Sequence, residues 1–310
     1  MKNIVDKTDR ISDDIIYKTN WFNRILKRGG QMYLKIDGIE KSFTRHVNGK
    51  LKVLDNINIS VEKGQFVSIV GPSGCGKSTL LYLVAGLEQP DQGEVRVSGK
   101  KVTKPGTDRI VVFQEDGLFP WLTVMENIIY GLKLKKKPKK EVEKKAKDVL
   151  KMVHLSQYEK AYPHQLSGGM KQRVAIARAL VMEPDILLMD EPFAALDEQT
   201  RIVLQKELLE IWKKTKVTIL FITHNIREAV LLSEKIIVLA TRPGKVKETF
   251  SVPINDGVMP NRVSLHLEQK ILSTLEEEME KVLKEEMGDD YRFKTDPIYR
   301  DHSGDMGSYI

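Results

Sequence analysis

The chain carries one cysteine, Cys75, in 310 residues. No intrachain disulfide can form, which excludes disulfide-stapled scaffolds and suits a reducing compartment. No stretch approaches the ~18 apolar residues that a membrane-spanning helix needs. Asp6, Asp9, Asp13 and Asp14 break up the N-terminus, so no secretory signal core is read there. Internal repeats and sustained heptads are also missing, which removes solenoids and long coiled coils. A net excess of basic charge is missing outside one place. Residues 133–151 hold ten lysines against Glu141, Glu143 and Asp148, an excess equal to the whole net charge of +7. The basic balance is therefore local, a solvated helix face in its simplest reading, and gives no nucleic-acid footprint.

What is present centres on Gly71-Pro72-Ser73-Gly74-Cys75-Gly76-Lys77-Ser78-Thr79, a G-x-x-x-x-G-K-[ST] pattern. An apolar β-type run, 65–70, precedes it, and an apolar helical run, 80–85, follows. A strand therefore turns through a glycine loop into a helix. Glycines let backbone N–H groups close around an anion, and the helix start adds partial positive charge there. Lys77 is expected to reach the outer phosphates of a nucleotide and the Ser78 hydroxyl to face Mg²⁺. Residues 186–190 form a second apolar strand that delivers Asp190, the candidate Mg²⁺ carboxylate. Glu191 follows it as the candidate that polarises the attacking water.

Around this core, alternation at 33–36 and 51–61 predicts strands joined by a hairpin at Asn48-Gly49. Further strands are predicted over 94–97, 110–113, 217–222, 236–240 and 245–250. Helices are predicted from Thr123-Val124-Met125-Glu126, a capping box, from 142 to 154, over 170–181 and over 226–232. Continuous apolar strands alternating with helices imply a parallel sheet covered on both faces, with an antiparallel β layer beside it. Residues 1–31 are read as an extension, with a basic amphipathic face around Trp21. Residues 261–288 are read as an amphipathic helix stopped by Gly288, and 289–310 as a polar tail.

Leu166-Ser167-Gly168-Gly169-Met170, continued by Gln172 and Arg173, resembles the signature of the ABC ATPase family. Here lies a second helix N-terminus suited to phosphate. The resemblance covers about residues 32–250. It implies a P-loop ABC ATPase fold, α/β, with a parallel core sheet, an antiparallel β subdomain and a helical subdomain at about 115–182, in a domain spanning 32–260. It also implies that ATP is bound with Mg²⁺ between two head-to-tail copies, where Ser167, Gly168 and Gly169 of one copy face the phosphate loop of the other. By the same resemblance Gln114 matches the Q-loop glutamine, which senses Mg²⁺ and the transport partner. Asp197, in Ala195-Leu196-Asp197, matches the D-loop at the dimer seam. His224 matches the switch histidine on the γ-phosphate, and Phe43 the aromatic that stacks on adenine. For Phe43, packing in the core is the competing reading, because 44–51 reads as an insertion.

Pro105-Gly106-Thr107-Asp108-Arg109, Phe113-Gln114 and Leu118-Phe119-Pro120-Trp121-Leu122 resemble importer ATPases for nitrate, aliphatic sulfonates and taurine. That resemblance implies a peripheral protein on the cytoplasmic face of the membrane. Two integral membrane permease subunits would be its partners, and an extracytoplasmic solute-binding protein would serve it indirectly. DNA-repair ABC ATPases place a long coiled coil between loop and signature, translation-associated ones carry two cassettes, and exporter ATPases fit the Pro120-Trp121 region less well.

Overall fold

The computed structural model describes residues 32–45, 49–135, 138–253 and 261–287. The helix read around Trp21, Asn48 of the hairpin turn, Lys136 and Lys137, the stop at Gly288 and the tail lie outside them.

Among the described residues a six-stranded sheet forms from β3 (Phe66–Val70), β6 (Arg109–Val112), β7 (Ile186–Asp190), β8 (Thr218–Ile222), β9 (Lys235–Leu239) and β10 (Val246–Ser251). Their order is β10-β9-β3-β8-β7-β6. All pairings are parallel except β10 with β9. Every residue of β3, β7 and β8 is buried, which explains their unbroken apolar sequences. Successive side chains go to opposite faces. Phe66, Leu187, Met189, Ile219 and Phe221 join one core with Trp212, while Val67, Ile69, Ile186, Leu188, Leu220 and Ile222 join another.

The second core is closed by α1 (Lys77–Ala85), through Leu80, Leu81, Leu83 and Val84, and by the antiparallel sheet. That sheet is ordered β2-β1-β4-β5, from β1 (Met32–Arg45), β2 (Gly49–Glu62), β4 (Gln92–Val97) and β5 (Lys100–Lys101). The hairpin closes at Arg45 opposite Gly49. β1 runs far beyond the alternation legible at 33–36. Register shifts between Ile36 and Ser42 carry it past the polar residues Asp37, Glu40 and Lys41, and such bulges erase a period-2 signal.

The first core is covered by α2 (Val124–Leu134), α3 (Lys139–Met152), α4 (Gly168–Leu180) and α5 (Glu198–Thr215). The Thr123 capping box is formed: the Thr123 N–H donates to Glu126 Oε2 at 2.9 Å, and the Glu126 N–H returns to Thr123 Oγ1 at 3.3 Å. The lysine stretch is not one helix, because Pro138 stands at the N-cap of α3 and cannot continue a preceding helix. On α3, Val142, Ala146 and Leu150 are buried, and Lys139, Lys140, Lys144, Lys147 and Lys151 are exposed. The segment between the phosphate loop and α4 thus contains short helices, and no long coiled coil lies among its described residues.

On the far edge, α6 (Ile226–Leu232) and α7 (Asn261–Met287) pack on β9 and β10 through Ala229, Ile236, Val238, Phe250, Ile271 and Leu275. Glu278 of α7 is almost wholly buried. It accepts from Lys281 Nζ at 2.7 Å and the Thr241 N–H at 3.4 Å, and lies 3.2 Å from Lys247 Nζ. Burial alone would raise its carboxyl, but these donors outweigh it and hold the group below its ordinary value of 4.5. A depressed carboxylate stabilises the fold above the unfolded-state pKa and loses that contribution as pH falls through its folded one. Glu278→Gln is therefore expected to cost about 1–3 kcal/mol near neutral pH. Urea titrations of both proteins should converge as pH drops below the ordinary carboxylate range.

Candidate nucleotide site

Four adjacent strands end at one edge, and each supplies part of the motif set. β3 leads into the phosphate loop, β8 into Thr223 and His224, β7 into Asp190 and Glu191, and β6 towards Gln114. This is the carboxyl end of a parallel sheet, where open α/β folds bind ligands.

Within the loop, Gly76 is the N-cap of α1 with φ 94°, and a Cβ there would stand 2.6 Å from Leu54 Cδ2. Only glycine fits both the left-handed backbone and the space. Ser73 and Gly74 face solvent, Gly71 is buried, and Ser78 and Thr79 are half-buried at the start of α1. Cys75 is buried and its thiol is pushed up by that burial. Its side chain is thus structural, leaving the backbone as its route to a ligand. The buried Lys77 ammonium donates to the Gly71 carbonyl at 2.9 Å and the Pro72 carbonyl at 3.0 Å. It is held at the loop by neutral acceptors, for which a phosphate oxygen is a stronger substitute.

Ser78 Oγ donates to Asp190 Oδ1 at 3.1 Å. Burial raises the Asp190 carboxyl, the Ser78 bond opposes that, and the neighbouring Glu191 charge adds to the rise. The Tyr82 phenol, raised first by its own burial, is raised further by the charge of this carboxylate. A hydroxyl and a carboxylate oxygen side by side fit Mg²⁺, which takes few protein ligands and keeps water and phosphate oxygens. A cation there would favour the ionised Asp190 that burial alone disfavours. Glu191 Oε2 lies 2.9 Å from His224 Nδ1. The Glu191 backbone sits in the left-handed region, φ 45°, with its N–H on the Ile222 carbonyl at 3.0 Å. The end of β7 is thereby fastened to the end of β8.

Ser167, Gly168 and Gly169 open α4 beside the N-terminal end of α5. Ser167 caps α4 by accepting from the Met170 N–H at 3.3 Å. A Cβ on Gly169 would come within 2.5 Å of Thr200 Cγ2, so glycine permits the close approach of α4 to α5. Asp197 caps α5, accepting from the Thr200 N–H at 3.0 Å, and that bond holds its carboxyl low. Signature and D-loop residues therefore form one surface. Ser167, Gly169, Met170, Gln199, Thr200 and Val203 line a cleft of about 310 Å³. Gln114 is exposed. Phe43 is 38% exposed on β1, opposite Leu51, with Lys41 Nζ 5.0 Å from its ring centre. The core-packing reading of Phe43 is excluded, and its ring is open to a planar partner.

Several polar residues organising the neighbourhood carry no motif. Asn127 is fully buried; its Nδ2 donates to the carbonyls of Phe119, Leu122 and Thr123 at 3.0–3.1 Å, and its Oδ1 accepts from the Phe119 N–H at 2.8 Å. Arg178 of α4 reaches the carbonyls of Gly117 and Asp116 at 2.7 and 2.9 Å. The loop after Gln114 is thus tied to the signature helix, with Trp121 left 70% exposed beside Phe119 and Tyr130. The capping box and the Leu118–Leu122 motif mark the segment these residues hold, but neither pattern includes Asn127 or Arg178.

Comparison with known proteins agrees with this arrangement. The family model described as "ABC transporter" matches residues 54–194. The aliphatic sulfonates import ATP-binding protein SsuB of Bacillus cereus is 50% identical over 71% of this chain and 86% of its own length. The nitrate import ATP-binding protein NrtD of Synechocystis is 46% identical over 74% and 87%. A dimeric ATP-binding cassette in a post-hydrolysis state, bound to ADP and Pi, superposes with a TM-score of 0.63 at 34% identity, over 72% of this chain and all of the other. The chain belongs to the ABC transporter family, as an ATP-hydrolysing subunit of the importer type.

Proposed function

We propose that this ATPase powers uptake of a small solute of the nitrate, sulfonate or taurine kind, and that the residues above divide the work as follows. Two copies meet head to tail, so that Ser167, Gly168 and Gly169 of one and the phosphate loop of the other enclose one ATP. The reading rests on one observation: Glu191 and His224 touch at 2.9 Å beside the Asp190–Ser78 pair, all at the edge that carries the phosphate loop. Lys77 and the loop N–H groups bind the β- and γ-phosphates. Ser78 and Asp190, with Gln114, would hold Mg²⁺, which when bound would offset the charge of the phosphates. Glu191 accepts hydrogen bonding from the attacking water and orients it in line with the γ-phosphate. His224 contacts the γ-phosphate and, through its bond to Glu191, holds the carboxylate in place. Phe43 stacks on adenine.

In each copy, Phe119, Pro120, Trp121 and Leu122 receive a helix of one of the two integral membrane permease subunits, on the cytoplasmic face. A solute-binding protein on the other side delivers the solute. An exposed tryptophan beside two aromatic rings, fixed by Asn127 and Arg178, is a rigid apolar anchor of the kind interfaces use. The test is recovery of the permease. Co-expressed with its membrane subunits, the tagged protein should bring them down from detergent extract. Trp121→Glu should reduce that recovery at least tenfold while labelled ATP still binds. Undiminished recovery would reject this docking site, and a permease that transports none of nitrate, sulfonates or taurine would reject the solute class.

A further inference from the structure

Beneath His224 lies a buried polar cluster that the roles above leave unused. Glu228 of α6 is 5% exposed, Gln205 of α5 6% and Thr223 2%. Gln205 Nε2 donates to Glu228 Oε1 at 2.9 Å, and Thr223 Oγ1 donates to Glu228 Oε2. The Thr223 oxygen accepts from the Asn225 N–H at 3.0 Å, Asn225 Oδ1 accepts from the Glu228 N–H at 3.1 Å, and the Thr223 N–H reaches the Ile69 carbonyl at 3.3 Å. One carboxyl therefore pins both residues flanking His224, on a strand end shared with β3.

His224 itself is held by little else. Its side chain is 64% exposed, and its ring contact is Glu191. Packing cannot set the position of so open a ring; its backbone must. Gln205 lies on α5, whose N-cap is Asp197. The cluster thus ties α5, about two turns beyond that cap, to the segment that carries His224. Burying a carboxyl is costly unless its partners are good, and a helix cap alone needs no such group, because Asn225 already caps α6.

We propose that Glu228 is a positioning residue for His224, acting through Thr223 and coupled to α5 through Gln205. This rests on the reading of His224 as the γ-phosphate contact. The residue touches neither nucleotide nor water; it fixes where His224 stands when the dimer closes.

Turnover and nucleotide affinity of the full chain decide the matter. Glu228→Ala and the near-isosteric Thr223→Val are expected to lower kcat at least tenfold. KM for ATP and the dissociation constant of a non-hydrolysable ATP analogue should move less than threefold. Glu228→Gln, which can still accept from Gln205 and donate to Thr223, should recover most of the loss. In a His224→Ala background, Glu228→Ala and Thr223→Val should cost no more than twofold further, because residues acting as a unit are not additive. Full additivity in that background, or kcat unchanged in Thr223→Val, would overturn the proposal and leave the role of His224 standing. Wild-type turnover in His224→Ala would instead overturn the reading of His224 and this proposal with it. Should Glu228→Ala fail to fold, Thr223→Val alone carries the test.

Discussion

Replacing Glu191 by glutamine should leave ATP binding intact and reduce steady-state hydrolysis by about 10²–10⁴-fold, the usual contribution of a positioned base. That is about 3–5 kcal/mol of barrier. Glutamine keeps the length and shape of the side chain and can still meet His224 Nδ1, now 2.9 Å from the carboxylate. What it loses is the negative charge that polarises the water. Binding groups are untouched, because Lys77 bonds the Gly71 and Pro72 carbonyls and Ser78 bonds Asp190, and neither bond involves Glu191. A closed dimer that cannot hydrolyse its ATP also cannot reopen. Glu191→Gln is therefore expected to sediment as a dimer with ATP and Mg²⁺ at concentrations where the parent protein is monomeric. Turnover equal to the parent's would remove Glu191 from its role, and a monomer at saturating ATP, even beside its membrane subunits, would remove the closed dimer.

A mixing experiment probes the other half of the site. Gly168 and Gly169 pack beside Leu196 and Thr200 of their own chain. If each signature serves the partner's nucleotide, Ser167→Arg and Lys77→Ala lesions fall in different chains of any one site. Each variant alone should lose at least tenfold in turnover, since both of its sites are half broken. Mixed, the two variants form heterodimers with one doubly broken site and one intact site. The mixture should then hydrolyse ATP several times faster than either parent variant at equal total protein. An activity equal to the average of the two parents would mean that signature and phosphate loop act within one chain.

The catalytic edge was legible because chemistry constrains it locally. A phosphate cradle needs Gly76 at φ 94°, and a metal carboxylate needs a buried strand such as β7 to deliver it. Those demands write short contiguous motifs. The strands were legible for a similar reason: β3, β7 and β8 are buried on both faces and carry unbroken apolar runs. β1 was read short because its bulges break the alternation. Asn127, Arg178, Gln205 and Glu228 were not legible at all. Their partners lie across loops or on other elements, with Gln205 and Glu228 23 residues apart and Arg178 and Asp116 62 apart. A lone polar residue in a helical pattern carries no sign that its partner waits elsewhere in the fold. Phe43 shows the converse: its sequence setting left two readings, and its exposure on the hairpin removed one.

The left-handed backbone at Glu191 sets the interests of folding and catalysis against each other. A residue with a Cβ held at φ 45° stores on the order of 1 kcal/mol or more, and the bond to the Ile222 carbonyl keeps it there. Glycine would relieve that strain and abolish the base, so the chain could become more robust by becoming inert at this one position. Selection for durability alone would push the sequence towards glycine here. A glutamate there is what the proposed role of Glu191 would demand, with work and not endurance deciding the residue at the turn after β7.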